Sequence, residues 1–405
     1  MDGVGDESTA ADALERNWSA DGKRTASRRK HPPSRWKTPL SCTMMRSLMD
    51  WTTIDRPTER LHAFISGFHA TYYVHAGIEC GLFEELVSPA SPHELAEQLD
   101  LHEPYVKGFC EVGGRWDIIV PVGEVDRDPD TGRFGVDQRF RLRDEFVEPL
   151  ADSSSVRYMG DVFRFVAKFN GEDYLEYPTY FRTGTVRRYT DRGAAFSETI
   201  EGSSRGLHVV FVEKLVPAVT TAFEERLVRG GRVLDVGCGA GHLDCYLADA
   251  YPDVEVVGVD VDADALERAR ENVREYGVED RVTVVEADAS EVTADELGTF
   301  DAAVSFLAVH EIPQTVRPAV FESVGELLSD DACFVVFDEV YPDTPEEFPE
   351  EPYANGVESQ WSELVWGNVI PTDVEHRTLF ERAGFSENVR EPFAGRFVVA
   401  EATRQ

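Results

Sequence analysis

The sequence is short of positive charge. Its 405 residues carry 40 Lys and Arg against 76 Asp and Glu, a formal net of −36. That balance argues against nucleic acid and anionic membrane as partners, since both would be repelled. The acid is spread along the chain rather than gathered in a tail, so it reads as a solvated, halophilic surface suited to high salt. Cysteine is scarce too. Cys42, Cys80, Cys110, Cys238, Cys245 and Cys333 form no Cys-x-x-Cys pair. They read as small, reduced core residues of a cytoplasmic protein, and no metal site is expected. Long apolar runs are missing: nothing approaches the ~20 residues of a membrane span. What remains is ample for cores, with 42% hydrophobic residues, and the length suggests two domains.

Residues 1–48 differ in sign from the rest. They hold nine Lys/Arg and six Asp/Glu, leaving 31 basic and 70 acidic residues beyond them. Arg24 to Lys37 is rich in Arg, Lys, Pro and Ser with almost nothing to bury, so a disordered basic extension is expected. It lacks the apolar core of a signal peptide, and Met49 is an alternative start.

Residues 49–145 read as a first domain. Leu61, Phe64, Ile65, Phe68, Tyr72 and Ala76 trace one face of a helix over Leu61–Cys80, with Gly81 at its C-cap. Ser91-Pro92-His93-Glu94 is a capping box with proline at the first helical position. Pro104 opens a third helix. Ile118–Val120, a turn at Asp130-Thr131-Gly132, and Phe134–Leu142 read as a β-hairpin. Three helices and a hairpin make a winged helix. Its third helix carries Glu103, Glu111 and Asp117, and its wing Glu124, Asp126, Asp128 and Asp130, which would repel phosphates. Residues 146–229 read as a helical linker. Its aromatics, Tyr158, Phe163, Phe165, Phe169, Tyr174, Tyr177, Tyr180, Phe181 and Tyr189, either line a substrate pocket or pack helices. Gly206 to Arg229 reads as a helix leading into the first strand of the last domain, residues 230–405.

The stretch R-V-L-D-V-G-C-G-A-G-H-L, Arg232 to Leu243, is an apolar strand, a glycine turn and a helix start. It is the first unit of a doubly wound nucleotide-binding sheet. Its glycines, Gly237, Gly239 and Gly241, let a ligand touch bare backbone. A dinucleotide fingerprint would need glycine at position 242, which is His242, so a dehydrogenase is disfavoured. Asp235 within the strand end would repel a pyrophosphate but attract an ammonium. Asp235 to Gly241 resembles the first motif of the class I methyltransferases that use S-adenosylmethionine (SAM). An α/β fold is therefore expected: a Rossmann-like seven-stranded sheet with its last strand antiparallel, preceded by the mainly helical winged-helix domain.

Further motifs follow in order. Val254–Val259 is a strand ending in Asp260, at the spacing from the glycines where an acid accepts hydrogen bonds from both ribose hydroxyls. Val261 neighbours it, and Asp262 caps the next helix. Arg281–Glu286 is a third strand followed by Asp288 and Ala289, where the resemblance places the adenine amino group. Phe300–Leu307 is a fourth, and the resemblance turns its end, at Phe306, toward the sulfonium methyl. Ala332–Phe337 is a fifth. Glu375–Ala383 reads as a helix, and Arg396–Glu401 as the last strand.

After the fourth strand comes L-A-V-H-E-I-P, Leu307 to Pro313. Methyl transfer to a hydroxyl needs an acceptor held in line and its proton removed, and histidine titrates in the useful range. In small-molecule O-methyltransferases, which carry a similar winged helix that dimerises, the general base follows the fourth strand in a phrase like L-H-D-W. His310 occupies that place, with Glu311 in place of Asp and no tryptophan. The resemblance implies SAM as cofactor, His310 and Glu311 as catalytic residues, a small-molecule acceptor, most readily a hydroxyl, and a homodimer. Carbon methylation beside a 2-oxo acid group and a SAM-sensing winged-helix regulator stand as alternatives.

Overall fold

Local signals set the N-terminal third of the chain. Helix α1, Trp51–Glu79, is longer than the Leu61–Cys80 expected, and Gly81 follows it in the left-handed conformation at φ 69°. Helix α2, Pro92–Leu99, starts on the capping box, in which Ser91 and Glu94 each accept from the other's backbone N–H. Helix α3 is Glu103–Arg115. Strands β1, Ile119–Val122, and β2, Arg139–Leu142, pair antiparallel. These elements close over a core of Phe83, Leu86, Leu95, Cys110 and Phe140.

The computed structural model describes residues 51–404 except Asp126, Asp128, Pro129, Thr131, Tyr189, Thr190, Glu351 and Pro352. The expectations for residues 1–48, with Cys42 and Met49, and for Asp126, Asp128 and Tyr189 lie outside the described residues. Among the described residues no single helix is long and apolar enough to cross a membrane.

The longest helices between β2 and the large sheet are α4, Gly171–Thr183, and α5, Ala194–Val210. The single helix expected over Gly206–Arg229 is broken. Pro217 cannot donate to a preceding carbonyl, and the helix widens into a π turn at Phe211–Leu215 just before it. A separate helix, Thr221–Val228, then leads into the sheet. Most of the linker aromatics pack helices. Phe165, Phe169, Tyr177 and Tyr180 surround buried Phe196, Val365 and Trp366. The Arg192 guanidinium lies 4.7 Å over the Phe196 ring and pairs with buried Asp173 at 2.7 Å.

The C-terminal domain is a seven-stranded sheet: β3 Arg232–Val236, β4 Glu255–Asp260, β5 Val282–Glu286, β6 Phe300–Phe306, β7 Leu328–Glu339, β8 Phe385–Phe393 and β9 Phe397–Arg404. The strand order is β5-β4-β3-β6-β7-β9-β8. Strands β3 to β7 run parallel, and only β9 runs against them. The central strands are buried on both faces, as a parallel sheet clad in helices requires. Helices α6 His242–Ala250, α7 Ala263–Tyr276, α8 Arg317–Leu327, α9 Ala354–Trp366 and α10 Asp373–Arg382 complete the domain. One apolar core lies on each face of the sheet.

Candidate active site

The order reverses at β3 and β6, so the crevice beyond their carboxyl ends is where a doubly wound sheet takes its ligand. The glycine turn forms its floor. Gly237, Gly239 and Gly241 all have positive φ, at 77°, 51° and 69°. A Cβ on Gly237 would stand 2.5 Å from the Ala308 methyl, so glycine there lets the loop after β6 close onto the turn. Asp262 caps α7 by accepting from Asp264 and Ala265 N–H groups.

Asp260 holds the rim. Its Oδ2 accepts from Gly239 N–H at 2.8 Å and its Oδ1 from Asp262 N–H at 2.9 Å. Each oxygen keeps a second lone pair for a hydroxyl donor. Burial pushes this carboxyl above its usual range, against the pull of those N–H groups. Val261 beside it is 69% exposed, an apolar surface at the crevice edge. Asp288 is exposed, and its Oδ1 accepts from Ser290 N–H at 2.9 Å and Oγ–H at 2.7 Å. Ala289 between them is half-buried. Asp235 is buried, and its Oδ1 meets no donor among the described residues. Phe306 closes β6, with its ring stacked 4.6 Å from Phe337 and 4.4 Å from His208.

At the end of β6 the backbone turns sharply. Leu307 takes φ 53°, rare for a branched residue, and its N–H is held by the Phe337 carbonyl at 2.7 Å. The turn delivers His310 into a buried position beside β7. Asp338, at the end of β7, accepts from His310 twice: from the backbone N–H at 3.0 Å and from Nδ1 at 2.5 Å. Burial alone would push the imidazole pKa down. The Asp338 charge and hydrogen bond, with Glu363 and Glu311 nearby, outweigh it and hold His310 well above its usual value. Burial would likewise raise Asp338, but the His310 imidazole wins and holds it below.

The acid that orients His310 is thus Asp338, not its neighbour Glu311. Glu311 stands at the other nitrogen, 4.0 Å from Nε2, with 42% of its side chain exposed. Its carboxyl is pushed up by partial burial and by the acids Glu363, Asp260 and Asp338, against His310. Buried Glu363 on α9, pushed up to about 7 by burial, accepts from Asn368 Nδ2 at 2.9 Å. Fully buried Arg317 fastens the loop from below. It donates to the carbonyls of His310 at 3.2 Å and Ile312 at 2.9 Å and pairs with Glu375 at 2.7 Å. Asp338 and Glu363 were not anticipated. The signal for Asp338 was available: Asp-Glu closing an apolar strand on the ligand side of the sheet.

This donor set fits SAM. A bare glycine turn, an orphaned carboxylate for an ammonium and an acid for the ribose are all present, and among the described residues of the crevice there is no cationic cluster of the kind a phosphate would need.

Residues 233–331 match the family described as Methyltransferase domain. Over 94 residues the chain is 35% identical to ribosomal RNA small subunit methyltransferase C of Pasteurella multocida, covering 23% of this chain and 27% of that protein. It thus spans about a quarter of the curated relatives it matches. Solved structures are alike over most of the chain. An O-methyltransferase family protein from Burkholderia thailandensis superposes with a TM-score of 0.65 at 14% identity, over 86% of this chain and 98% of that one. Human N-acetylserotonin methyltransferase in complex with SAM gives 0.64 at 14% identity, over 86% and 97%. At such identities the likeness is one of fold. It extends through the N-terminal helical domain as well as the sheet.

Proposed function

We propose that this chain is a SAM-dependent methyltransferase that transfers the methyl group to a hydroxyl oxygen of a small molecule, with His310 as general base. The observation that carries the reading is the His310–Asp338 pair, set two residues beyond the Ala308 that seals the glycine turn. SAM supplies the methyl group on a sulfonium leaving group. Asp235 receives its ammonium, Asp260 its ribose, and Asp288 with Ala289 faces its adenine. With Asp338 at Nδ1, the imidazole presents Nε2 to an acceptor hydroxyl and takes its proton as the methyl group moves. Glu311, 4.0 Å from that nitrogen, and the buried Glu363 nearby steady the imidazolium that results.

The fold shared with O-methyltransferases supports a small acceptor. The net charge of −36 disfavours RNA, the substrate that the name of the Pasteurella relative indicates. We further propose a homodimer through α1, where Leu61, Phe64, Ile65 and Phe68 are each more than half exposed, too apolar a stripe to leave wet. Cys80, Cys110, Cys238, Cys245 and Cys333 are all free thiols, which suits a reducing cytoplasm. The test is transfer of a labelled methyl group from SAM to a panel of phenols and alcohols, with and without His310→Ala.

A further inference from the structure

The glycine turn rests on two carboxyls, and only one of them comes from β3. The other is Asp244, in the first turn of α6. Asp235 stands opposite Gly258 in the β3–β4 register. A Cβ on Gly258 would collide with Asp244 Oδ2, so the glycine opens a slot that brings the second carboxyl down onto the first. Both residues are fully buried. Asp235 Oδ1 and both Asp244 oxygens meet no N–H or O–H donor among the described residues. Two buried like charges packed together with three oxygens lacking a donor cannot both stay ionised.

We propose that Asp235 and Asp244 hold one proton between them, and that this pair, with a single negative charge and free oxygens, is what receives the ammonium group of SAM. The proposal rests on the reading that the crevice binds SAM, and it assigns Asp244 to the cofactor site beside Asp235.

The surroundings agree. Burial first, then the Asp244 charge and hydrogen bond, hold the Asp235 carboxyl well above its usual range. Burial pushes Asp244 up to about 6, opposed by the hydrogen bond to Asp235 and the charge of His242. The other groups facing the pair are Asp260 at the end of β4, the Cys238 thiol in the turn, and His242 on α6. His242 Nε2 lies 3.9 Å from Glu201 on α5, which is itself paired with Arg268 on α7 at 2.5 Å. A coupled pair of this kind loses its protons in two steps. Between the steps it is an anion. Below the first it is neutral and has no charge to offer an ammonium.

S-adenosylhomocysteine carries the same ammonium without the sulfonium charge and is the probe. Its affinity is measured by calorimetry from about pH 5 to 8 for the wild type and Asp244→Asn. Wild-type affinity should fall as the pH drops through about 6, by up to tenfold per unit. Asparagine has no proton to share and is a weaker donor to Asp235 than a carboxylic acid. The step from neutral to anion meets no like charge but loses that stronger donor, so the variant's acid limb should lie about one unit higher. Asp260 titrates in both proteins, so only their difference bears on the pair. A second measurement needs no variant: binding near pH 6, in buffers of different ionisation heat, should release a proton. Identical acid limbs in the two proteins, or no proton release, would overturn the proposal. Absence of binding at every pH would overturn the SAM reading itself.

Discussion

Asp338 binds His310 at two points, the backbone N–H at 3.0 Å and Nδ1 at 2.5 Å. The double contact fixes both where the histidine sits and which way its ring faces. An ionised Asp338 accepts at Nδ1, so the basic lone pair is on Nε2. Asp338→Asn can offer an N–H to Nδ1 instead and would favour the wrong tautomer. Turnover should fall roughly 10²–10⁴-fold, while affinity for S-adenosylhomocysteine stays within a few-fold. Single-turnover methyl transfer beside calorimetry checks both halves.

The same pair sets a pH dependence. His310 is held above its usual value, and only the neutral ring is a base. Turnover should therefore climb with pH beyond the usual histidine range before levelling off. In Asp338→Asn that limb should move to lower pH. The stability effect has its own sign. The raised His310 value stabilises the fold fully below the unfolded pKa near ~6.5, and this is lost as the pH rises through the folded value. The lowered Asp338 value stabilises above ~3.9 and is lost as the pH falls. Denaturant unfolding should show Asp338→Asn costing more at about pH 5.5 than at about pH 10.

Asp260→Ala should weaken S-adenosylhomocysteine binding by roughly 1.5–3 kcal/mol, since it removes charge-assisted hydrogen bonds to two hydroxyls. It also frees the Gly239 N–H that Asp260 now holds at 2.8 Å. Unchanged affinity in calorimetry would move the ribose elsewhere.

Replacing both Phe64 and Phe68 with serine removes two exposed rings from α1 without opening a buried core. Light scattering at micromolar concentration in molar salt should report a dimer for the wild type and a shift to monomer for the double variant. A monomeric wild type would contradict the proposed interface.

Legibility in the sequence followed distance along the chain. The turn from Asp235 to Gly241, the acid at Asp260 and the caps at Ser91 and Asp262 are local devices, and each was readable from its neighbours. His310 was readable because it follows a strand end. Its partner was not, because Asp338 lies 28 residues on and meets it only when β6 and β7 pair. Strand β6 shows a second limit: buried on both faces, it has no polar alternation to say which side each ring takes. Strand β8 shows a third. It lies at the sheet edge with mostly half-buried and exposed residues, so no apolar run marked it.

The central claim is methyl transfer from SAM to a small hydroxyl acceptor with His310 as base. It is tested most directly by incubating the wild type and His310→Ala with methyl-labelled SAM and a panel of phenols and alcohols, and identifying labelled products by mass spectrometry. The expected result is a labelled O-methyl ether from the wild type, a turnover lower by roughly 10²–10⁴-fold in the variant, and equal affinity of the two for S-adenosylhomocysteine. Label found only on carbon, RNA or protein, or full turnover by His310→Ala, would contradict it.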